Sequence, residues 1–257
     1  MKLPEPIGGM LGELEAGAIT SFYGQPGTGK TNICLLAALE CVRSGGKVLY
    51  IDTEGGLSPE RAKQIAKGAE LLKNMILVEP RSLKEQEEAV KKAEQGDAKL
   101  IIIDSAVALY RIEHAELSEG IAEKDRKSKM DTLLGANRSL SRQMALLSKI
   151  ANEKGIPVVV TAHAFKHWDD GSHGYDRGGG SAVYGHGGGS AVYEMVGGDA
   201  MRYWSKTIVY LEKTGKTSER KATIMKHRSR EEDGSVKFML VDDGIKPSRG
   251  MLGLGRI

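Results

Sequence analysis

A glycine-rich octapeptide near the start of the chain has the residue types and the spacing of a phosphate-binding loop. It reads Gly24-Gln25-Pro26-Gly27-Thr28-Gly29-Lys30-Thr31 and lies directly after an apolar segment and directly before a helical one. Its glycines allow successive backbone N–H groups to turn inward around a phosphate, and the following helix adds its positive dipole end. We expect the Lys30 ammonium to contact β- and γ-phosphates and the Thr31 hydroxyl to bind Mg²⁺.

Two carboxylates that follow predicted strands complete this expected site. Asp104 ends the aliphatic run at residues 100–103, and we expect it to hold Mg²⁺ through water. Glu54 ends the neighbouring predicted strand, where a carboxylate can orient or deprotonate an attacking water molecule. Two alternatives stay open: Asp104 can be a simple strand end, and Glu54 can cap the turn that follows it.

The elements that must position these residues alternate between strand and helix. Strands are predicted at residues 19–23, 47–51, 76–78, 100–103, 157–161, 207–211, 222–225 and 236–241. Helices are predicted at residues 32–42, 58–72, 82–95 and 133–151, with Ser58 and Ser82 as the N-caps of the second and third. This alternation predicts an α/β core with a mostly parallel, twisted sheet, and the last three strands are expected to form antiparallel hairpins.

Two segments interrupt the alternation. Residues 110–129 are dense in charge and are expected to form a solvated helix or loop. Residues 165–198 hold 11 of the 33 glycines, and the heptapeptide GGGSAVY at residues 178–184 recurs at residues 187–193. So much glycine cannot fill a core, which predicts a long mobile loop. The repeat is compatible with a recent duplication and with an engineered insertion.

Composition limits the class of protein further. A chain of 257 residues, 40% hydrophobic and 28% charged, can form one large domain without a disulfide or zinc. No apolar run approaches the ~20 residues of a membrane span, and the first nine residues lack a signal-peptide pattern. Cys34 and Cys41 are expected to be buried free thiols in a reducing, cytoplasmic compartment. The net charge of +3 permits nucleic-acid binding without requiring it.

Several segments outside the phosphate loop resemble those of one protein family. They are Gly8-Gly9-Met10-Leu11, Ala16-Gly17-Ala18-Ile19-Thr20, Tyr50-Ile51-Asp52-Thr53-Glu54-Gly55, Ser58-Pro59-Glu60-Arg61 and Lys226-His227-Arg228-Ser229-Arg230. Together they resemble the RecA/RadA recombinases, and among these the archaeal RadB branch. The resemblance covers about residues 7–246. It implies one three-layer RecA-like P-loop NTPase domain over residues 1–257, without an N-terminal helix–hairpin–helix domain.

The resemblance also implies roles for individual residues. Arg61 matches the arginine that stacks on adenine, and Glu54 matches the catalytic glutamate. The residues that match the phosphate and magnesium ligands are Lys30, Thr31 and Asp104. In this family, basic side chains near the positions of Lys226, His227 and Arg228 cross a subunit interface to the neighbour's γ-phosphate, so ATP would join protomers. The alternative for these three residues is an exposed strand end.

The sequence departs from the family pattern at the end of the strand predicted at residues 157–161. Ala162 and His163 stand there in place of the usual Asn-Gln, whose glutamine senses the γ-phosphate. His163 can donate the same hydrogen bond, although its protonation changes near neutral pH. A purely structural histidine is the alternative.

The two interrupting segments match the loops with which the family holds single-stranded DNA. Such binding needs cations along the backbone and aromatic rings for stacking. The second segment has Trp168, Tyr175, Tyr184 and Tyr193, but its acidic residues outnumber its basic ones, so a spacer that touches nothing is the alternative. The candidate phosphate contacts are Arg138, Arg142, Lys166, Arg177 and Arg202.

The resemblance therefore implies a protein of DNA repair and homologous recombination with weak, DNA-dependent ATPase activity. It would bind ATP, Mg²⁺ and single-stranded DNA, assist a RadA-type recombinase and self-associate through the ATP interface. A KaiC-like regulatory ATPase that acts through protein partners fits the N-terminal glycine motif and the phosphate loop almost as well. A nucleotide-dependent scaffold without significant turnover is the third hypothesis.

Overall fold

A computed structural model describes residues 1–66, 73–119, 126–167 and 192–248. The helices in these ranges are α1 (Ile7–Leu11), α2 (Lys30–Arg43), α3 (Pro59–Ala66), α4 (Leu83–Ala93), α5 (Ala108–Glu119), α6 (Arg126–Lys154) and α7 (Gly198–Trp204). The strands are β1 (Ile19–Gly24), β2 (Val48–Asp52), β3 (Met75–Val78), β4 (Leu100–Asp104), β5 (Val158–His167), β6 (Val192–Met195), β7 (Ser205–Lys213), β8 (Glu219–Lys226), β9 (Ser235–Val241) and β10 (Gly244–Pro247). The predicted alternation of strand and helix is confirmed.

The described strands form one mixed sheet in the order β10-β9-β8-β7-β1-β5-β4-β2-β3, with β6 paired to the end of β5. The six strands from β7 to β3 are parallel, and β8, β9 and β10 add antiparallel pairs. The predicted mixed sheet and its antiparallel C-terminal strands are confirmed, and β7 in addition pairs in parallel with β1. Helix α7 returns the chain to the edge where β1 begins, so β7 runs parallel to β1 before it pairs with β8.

Alternate residues of the central strands fill two apolar layers, one on each face of the sheet. Phe22 and Ile102 face the layer that contains α1, α2 and α3. Ile101 and Ile103 face the layer that contains α4, α6 and α7. Because a strand that is covered on both faces must be apolar throughout, this arrangement explains the unbroken aliphatic run of β4. The result is the expected three-layer architecture.

Two helix starts follow the predicted capping chemistry. The Ser58 hydroxyl accepts a hydrogen bond from the Arg61 N–H at the start of α3, at 3.3 Å. The Ser82 hydroxyl accepts one from the Glu85 N–H at the start of α4, at 3.2 Å. Each serine satisfies a backbone donor that has no partner within its own helix.

The described parts of both interrupting segments contain regular structure. The described parts of residues 110–129 belong to α5 and α6. The prediction of a loop over residues 165–198 is wrong at both ends, because Phe165 and Lys166 pair with Glu194 and Tyr193 in the antiparallel β5–β6 ribbon. Residues 168–191, which include Arg177 and most of the repeat, lie outside the described residues.

Cys34 and Cys41 are buried free thiols, as predicted. None of the described helices has the length and apolar composition needed to cross a membrane.

Candidate nucleotide site

The glycine-rich octapeptide connects β1 to α2 at the carboxyl edge of the parallel strands. Two of its glycines are required by their surroundings. A Cβ on Gly24 would collide with the carbonyl of Leu211, and Gly29 has a φ of 99° with the Leu240 side chain 3.0 Å from the position of a Cβ. These contacts allow the loop to lie against the ends of β7 and β9, which larger residues would prevent.

Lys30 lies inside the loop and is only 8% exposed. Its ammonium donates to the carbonyls of Gly24 and Gln25 at 2.9 and 3.1 Å. Burial lowers the pKa of Lys30, while the carboxylates of Glu54 and Asp104 act in the opposite direction. The Lys30 ammonium therefore has two carbonyl acceptors in the loop itself. The oxygens of a phosphate group are stronger, anionic acceptors and can replace these two carbonyls.

Asp104 is buried at the end of β4 and accepts hydrogen bonds from two hydroxyls. The Tyr50 hydroxyl donates to Oδ2 at 3.0 Å, and the Thr161 hydroxyl donates to Oδ1 at 2.5 Å. Burial raises the pKa of Asp104, and the neighbouring hydroxyls of Thr161, Thr31 and Tyr50 oppose this shift. The contact with Thr31 brings together the two residues that were predicted to hold Mg²⁺.

Glu54 lies next to the same carboxylate and within hydrogen-bonding distance of His163. The His163 Nε2 is 2.8 Å from Glu54 Oε1. The hydrogen bond from His163 is the main reason that the pKa of Glu54 falls to about 2, and Ser105 and Lys30 act in the same direction. The residue that replaces the usual glutamine therefore contacts the predicted catalytic glutamate.

Asp52 holds the segment that carries Glu54. Its Oδ1 accepts hydrogen bonds from the N–H groups of Glu54 and Gly56 at 3.1 and 3.2 Å, and its Oδ2 accepts one from Leu57 at 2.9 Å. Asp52 is only 2% exposed, so these bonds are shielded from water. A buried carboxylate that accepts three backbone N–H groups fixes a loop rather than binding a ligand.

Arg61 lies between α2 and the end of β9. Its guanidinium donates to the Asn32 side chain at 3.3 Å and to the carbonyls of Val241 and Asp242 at 2.7 and 2.6 Å. Asn32 follows the phosphate loop by one residue, so Arg61 is close to this loop. The adenine contact of Arg61 stays a prediction.

Lys226, His227 and Arg228 lie away from the phosphate loop of their own chain. Lys226 pairs in register with Ile208, near the start of β7, whereas the loop lies beside the end of β7. The Lys226 ammonium donates to the carbonyls of Arg202 and Ser205 at 2.8 and 2.7 Å, and Arg228 pairs with Glu15. Only a second chain could bring these residues to a phosphate loop.

The predicted DNA contacts that the structure describes lie on three elements. Arg138 is exposed on α6, and Arg142 on the same helix is 3.5 Å from Glu87 of α4. Lys166 is exposed at the end of β5, opposite Tyr193. Arg202 is half-buried on α7, beside Tyr23 and Lys226 in a groove of about 270 Å³.

The residues that sequence reasoning missed are the ones that support the site from other strands. They are Tyr50, Asp52, Thr161 and Ser105. The only signal in the sequence is their polarity at the ends or within apolar strands. That signal does not identify a partner, because the partner depends on the pairing order of the strands.

Comparisons with known proteins agree with this fold. The family model for Rad51 matches residues 8–248. The chain belongs to the Rad51 family. This family assignment confirms the resemblance to RecA/RadA recombinases that was inferred from the sequence motifs.

Curated relatives include three archaeal proteins named DNA repair and recombination protein RadB. The protein from Methanococcus maripaludis is 37% identical over 238 residues, with 91% of this chain and 94% of the relative covered. The protein from Methanobrevibacter smithii is 36% identical, with 91% of this chain and 89% of the relative covered. The protein from Methanococcoides burtonii is also 36% identical, with 94% of this chain and 95% of the relative covered. A solved structure of a RadB recombinase aligns with a TM-score of 0.69 and 29% identity, covering 95% of this chain and 97% of the other.

Proposed function

We propose that this Rad51-family chain acts as a single RecA-like domain in DNA repair and homologous recombination. In this role it binds ATP with Mg²⁺, hydrolyses it slowly, binds single-stranded DNA and assists a RadA-type recombinase. The main observation in favour is that Lys30, Thr31, Asp104 and Glu54 converge at one edge of the sheet. The names of the archaeal relatives support the recombination role.

The residues present fit a magnesium–nucleotide ligand. The Thr31 hydroxyl and the Asp104 carboxylate would hold Mg²⁺, and Lys30 would exchange its two loop carbonyls for phosphate oxygens. The buried Asp104 carboxylate, whose pKa is raised by burial, gains a positive neighbour when a cation binds. When bound, Mg²⁺ neutralises negative charge on the phosphate oxygens.

Glu54 would orient the attacking water, and its contact with His163 favours slow turnover. A carboxylate with a pKa of about 2 is a weak proton acceptor at neutral pH, since general bases work best with a pKa near the working pH. His163 would have to release Glu54, in whole or in part, before that carboxylate can accept a proton. This contact is the observation that supports the proposed slow hydrolysis.

A series of aromatic and basic side chains supports single-stranded DNA binding. The Tyr193 ring stacks on Tyr210 with centroids 6.1 Å apart, and Tyr210 lies 5.0 Å from Tyr23. Lys166 lies opposite Tyr193, and Arg202 lies near Tyr23. Tyr23 is only 5% exposed and packs in the core, so Tyr193 at the other end of the series would supply the ring for base stacking, with Lys166 and Arg202 as cations for phosphates.

The exposed edge strand β3 is an observation in favour of a protein partner. Among the described residues, no strand pairs with the outer side of β3, where Ile76 and Leu77 are 50% and 45% exposed. An adjoining groove of about 440 Å³ has apolar walls that include Leu49 and Ala93. Its acidic members are Glu79, Glu85, Glu88 and Asp97. An extended segment of the recombinase with an apolar anchor and basic neighbours would fit this edge.

The proposed function is tested by the binding of a fluorescent oligodeoxythymidine, measured by polarisation with and without ATP and Mg²⁺. We expect binding that requires ATP and that weakens at least tenfold between about 50 and 200 mM salt. Tyr193→Ala should weaken it about tenfold, and Tyr203→Ala, an exposed tyrosine outside the series, should not. Absence of binding at the lower salt concentration with ATP would refute the DNA-binding role.

Hydrolysis is tested separately with two variants of the nucleotide site. Lys30→Ala should lose ATP binding, whereas Glu54→Gln should keep ATP binding and lose phosphate release at least tenfold. If Glu54→Gln released phosphate at the wild-type rate, the role proposed for Glu54 would be wrong. If Glu54→Gln still supported the recombinase fully, the chain would act as a nucleotide-dependent scaffold.

A further inference from the structure

The turn between β7 and β8 brings two basic side chains against the outside of the phosphate loop. Arg220 donates from Nε to the Gly27 carbonyl at 2.8 Å. Its Nη1 donates to the carbonyls of Thr217 and Glu219 at 3.1 and 2.9 Å, which fixes the guanidinium. The Lys213 ammonium lies 3.3 Å from the position that a Cβ on Gly27 would take. Neither basic residue belongs to the sequence motif of the loop.

These two cations face each other across the β7–β8 ladder. Lys213 and Arg220 are directly opposite in the register, so their side chains leave the same face of the hairpin. Like charges in this position destabilise a sheet. Within the described residues, Lys213 has no ion pair that would offset the repulsion. A nearby anion would remove this cost.

The hydrogen bond from Arg220 also determines the orientation of one peptide unit in the loop. The Gly27 carbonyl and the Thr28 N–H belong to the same planar unit and point in opposite directions. Because Arg220 holds the carbonyl on the outside, the N–H is directed toward the loop interior. There it makes only a long bond, 3.4 Å, to the Gln25 carbonyl. A phosphate oxygen is a stronger acceptor for that N–H group.

We propose that Arg220 is a positioning residue for the phosphate loop and that Lys213 supplies additional positive charge for the same ligand. The inference rests on the proposed ATP binding and concerns the polyphosphate part of the nucleotide. Arg220 acts through the Gly27–Thr28 peptide unit, whereas Lys213 acts through its charge. The two roles therefore differ in their dependence on salt.

The test is the dissociation constant of ATP with Mg²⁺, measured by calorimetry for matched variants at low and high salt. Arg220→Ala should raise this constant about tenfold, and Arg220→Lys, which keeps one donor for Gly27, should restore it to within about threefold. Lys213→Ala should raise it about threefold at low salt and leave it unchanged at about 0.5 M salt. The control is Lys221→Ala, because Lys221 is adjacent on β8 but pairs with Glu212 at 3.3 Å.

The thermal midpoint of each variant without nucleotide separates positioning from a purely structural role. A lower midpoint for Arg220→Ala with an unchanged ATP constant would overturn the proposal. If Arg220→Ala does not fold, Arg220→Met, which keeps the length of the side chain but has no donor for the Gly27 carbonyl, and Lys213→Ala at low salt decide. Wild-type affinity in both would overturn the proposal. A wild-type chain that binds no ATP would instead refute the proposed function.

Discussion

Two buried aspartates end neighbouring strands, and their hydrogen-bond partners give them different tasks. Asp52 accepts three backbone N–H groups and fixes the segment with Glu54. Asp104 accepts the hydroxyls of Tyr50 and Thr161, and burial raises its pKa. A carboxylate with satisfied backbone donors has little to gain from a cation, whereas one that is destabilised by burial gains much. Asp104 is therefore the aspartate suited to Mg²⁺.

The first prediction concerns Asp104. Wild-type protein should unfold at a higher temperature with ATP and Mg²⁺ than with ATP and EDTA. With ATP at 100 times its dissociation constant, the gain in the free energy of unfolding should be about 2–3 kcal/mol. Asp104→Asn should abolish this difference, because it removes the metal-binding charge. Asp97→Asn is the control, since Asp97 is exposed and pairs with Lys47. Calorimetric scans measure the unfolding temperatures. A magnesium-dependent difference that persists in Asp104→Asn would contradict the role of Asp104 in holding Mg²⁺.

The second prediction concerns pH. The pKa of Glu54 falls from 4.5 to about 2 on folding, so Glu54 stabilises the native state fully above pH 4.5. This contribution is lost as the pH falls from 4.5 toward 2. Glu54 is 36% exposed, so the contribution is reduced by solvent to about 1 kcal/mol. Urea unfolding at pH 6 and pH 3 should show a smaller acid-induced loss in Glu54→Gln than in wild type, and equal losses would contradict the prediction.

At the scale of the elements, α4 and α6 are joined by a polar contact within an apolar layer. The Gln86 amide donates to the Ala106 carbonyl at 3.1 Å and to the Gln143 side chain at 2.9 Å. Both glutamines are buried, at 0% and 2% exposure, and Gln143 donates to Ser139 at 3.2 Å. Apolar contacts alone tolerate sliding, so these directional bonds fix α4 against α6 and against the segment after β4.

The third prediction follows from this contact. Gln86→Leu and Gln143→Leu should each lower the free energy of unfolding by about 2 kcal/mol, because each leaves a buried partner without its hydrogen bond. The double variant should lose at least about 1 kcal/mol less than the sum, since the shared bond can be lost only once. Urea unfolding of the four proteins measures the coupling. Simple additivity would show that the bond contributes nothing.

The elements were more predictable than the contacts between them. Apolar runs such as that of β4 and the capping serines Ser58 and Ser82 located strands and helix starts, because these signals are local. The β5–β6 ribbon was missed, since its pairing partners lie far apart in the chain on either side of a glycine-rich segment. The phosphate loop was found as a contiguous motif. The Arg220 contact with Gly27 joins residues 193 positions apart and leaves no local signal.

At the scale of the whole molecule, the sheet has chemically different edges. The phosphate loop lies at the carboxyl edge of the parallel strands, while Lys226 lies near the amino edge. A side chain at the amino ends of the strands can contact a phosphate loop only if that loop belongs to a second chain, whose carboxyl edge would lie against this amino edge. This geometry agrees with the hypothesis that ATP joins protomers.

The fourth prediction is self-association that depends on nucleotide. The mass measured by size-exclusion chromatography with light scattering should rise when ATP and Mg²⁺ are added. Arg228→Ala should reduce this rise by at least half, because it removes a cation that would face the neighbour's phosphate. Arg43→Ala is the matched control, an exposed arginine at the end of α2. A mass that is independent of nucleotide would exclude an interface through ATP.

The β5–β6 ribbon has a consequence for how this chain tolerates changes in length. His167 and Val192 are paired across the ribbon, so the two chain positions that flank residues 168–191 lie side by side. The entropy of closing such a segment varies only with the logarithm of its length. We therefore predict that a chain from which one nine-residue unit of the tandem repeat has been deleted keeps the β5–β6 pairing and melts at the wild-type temperature.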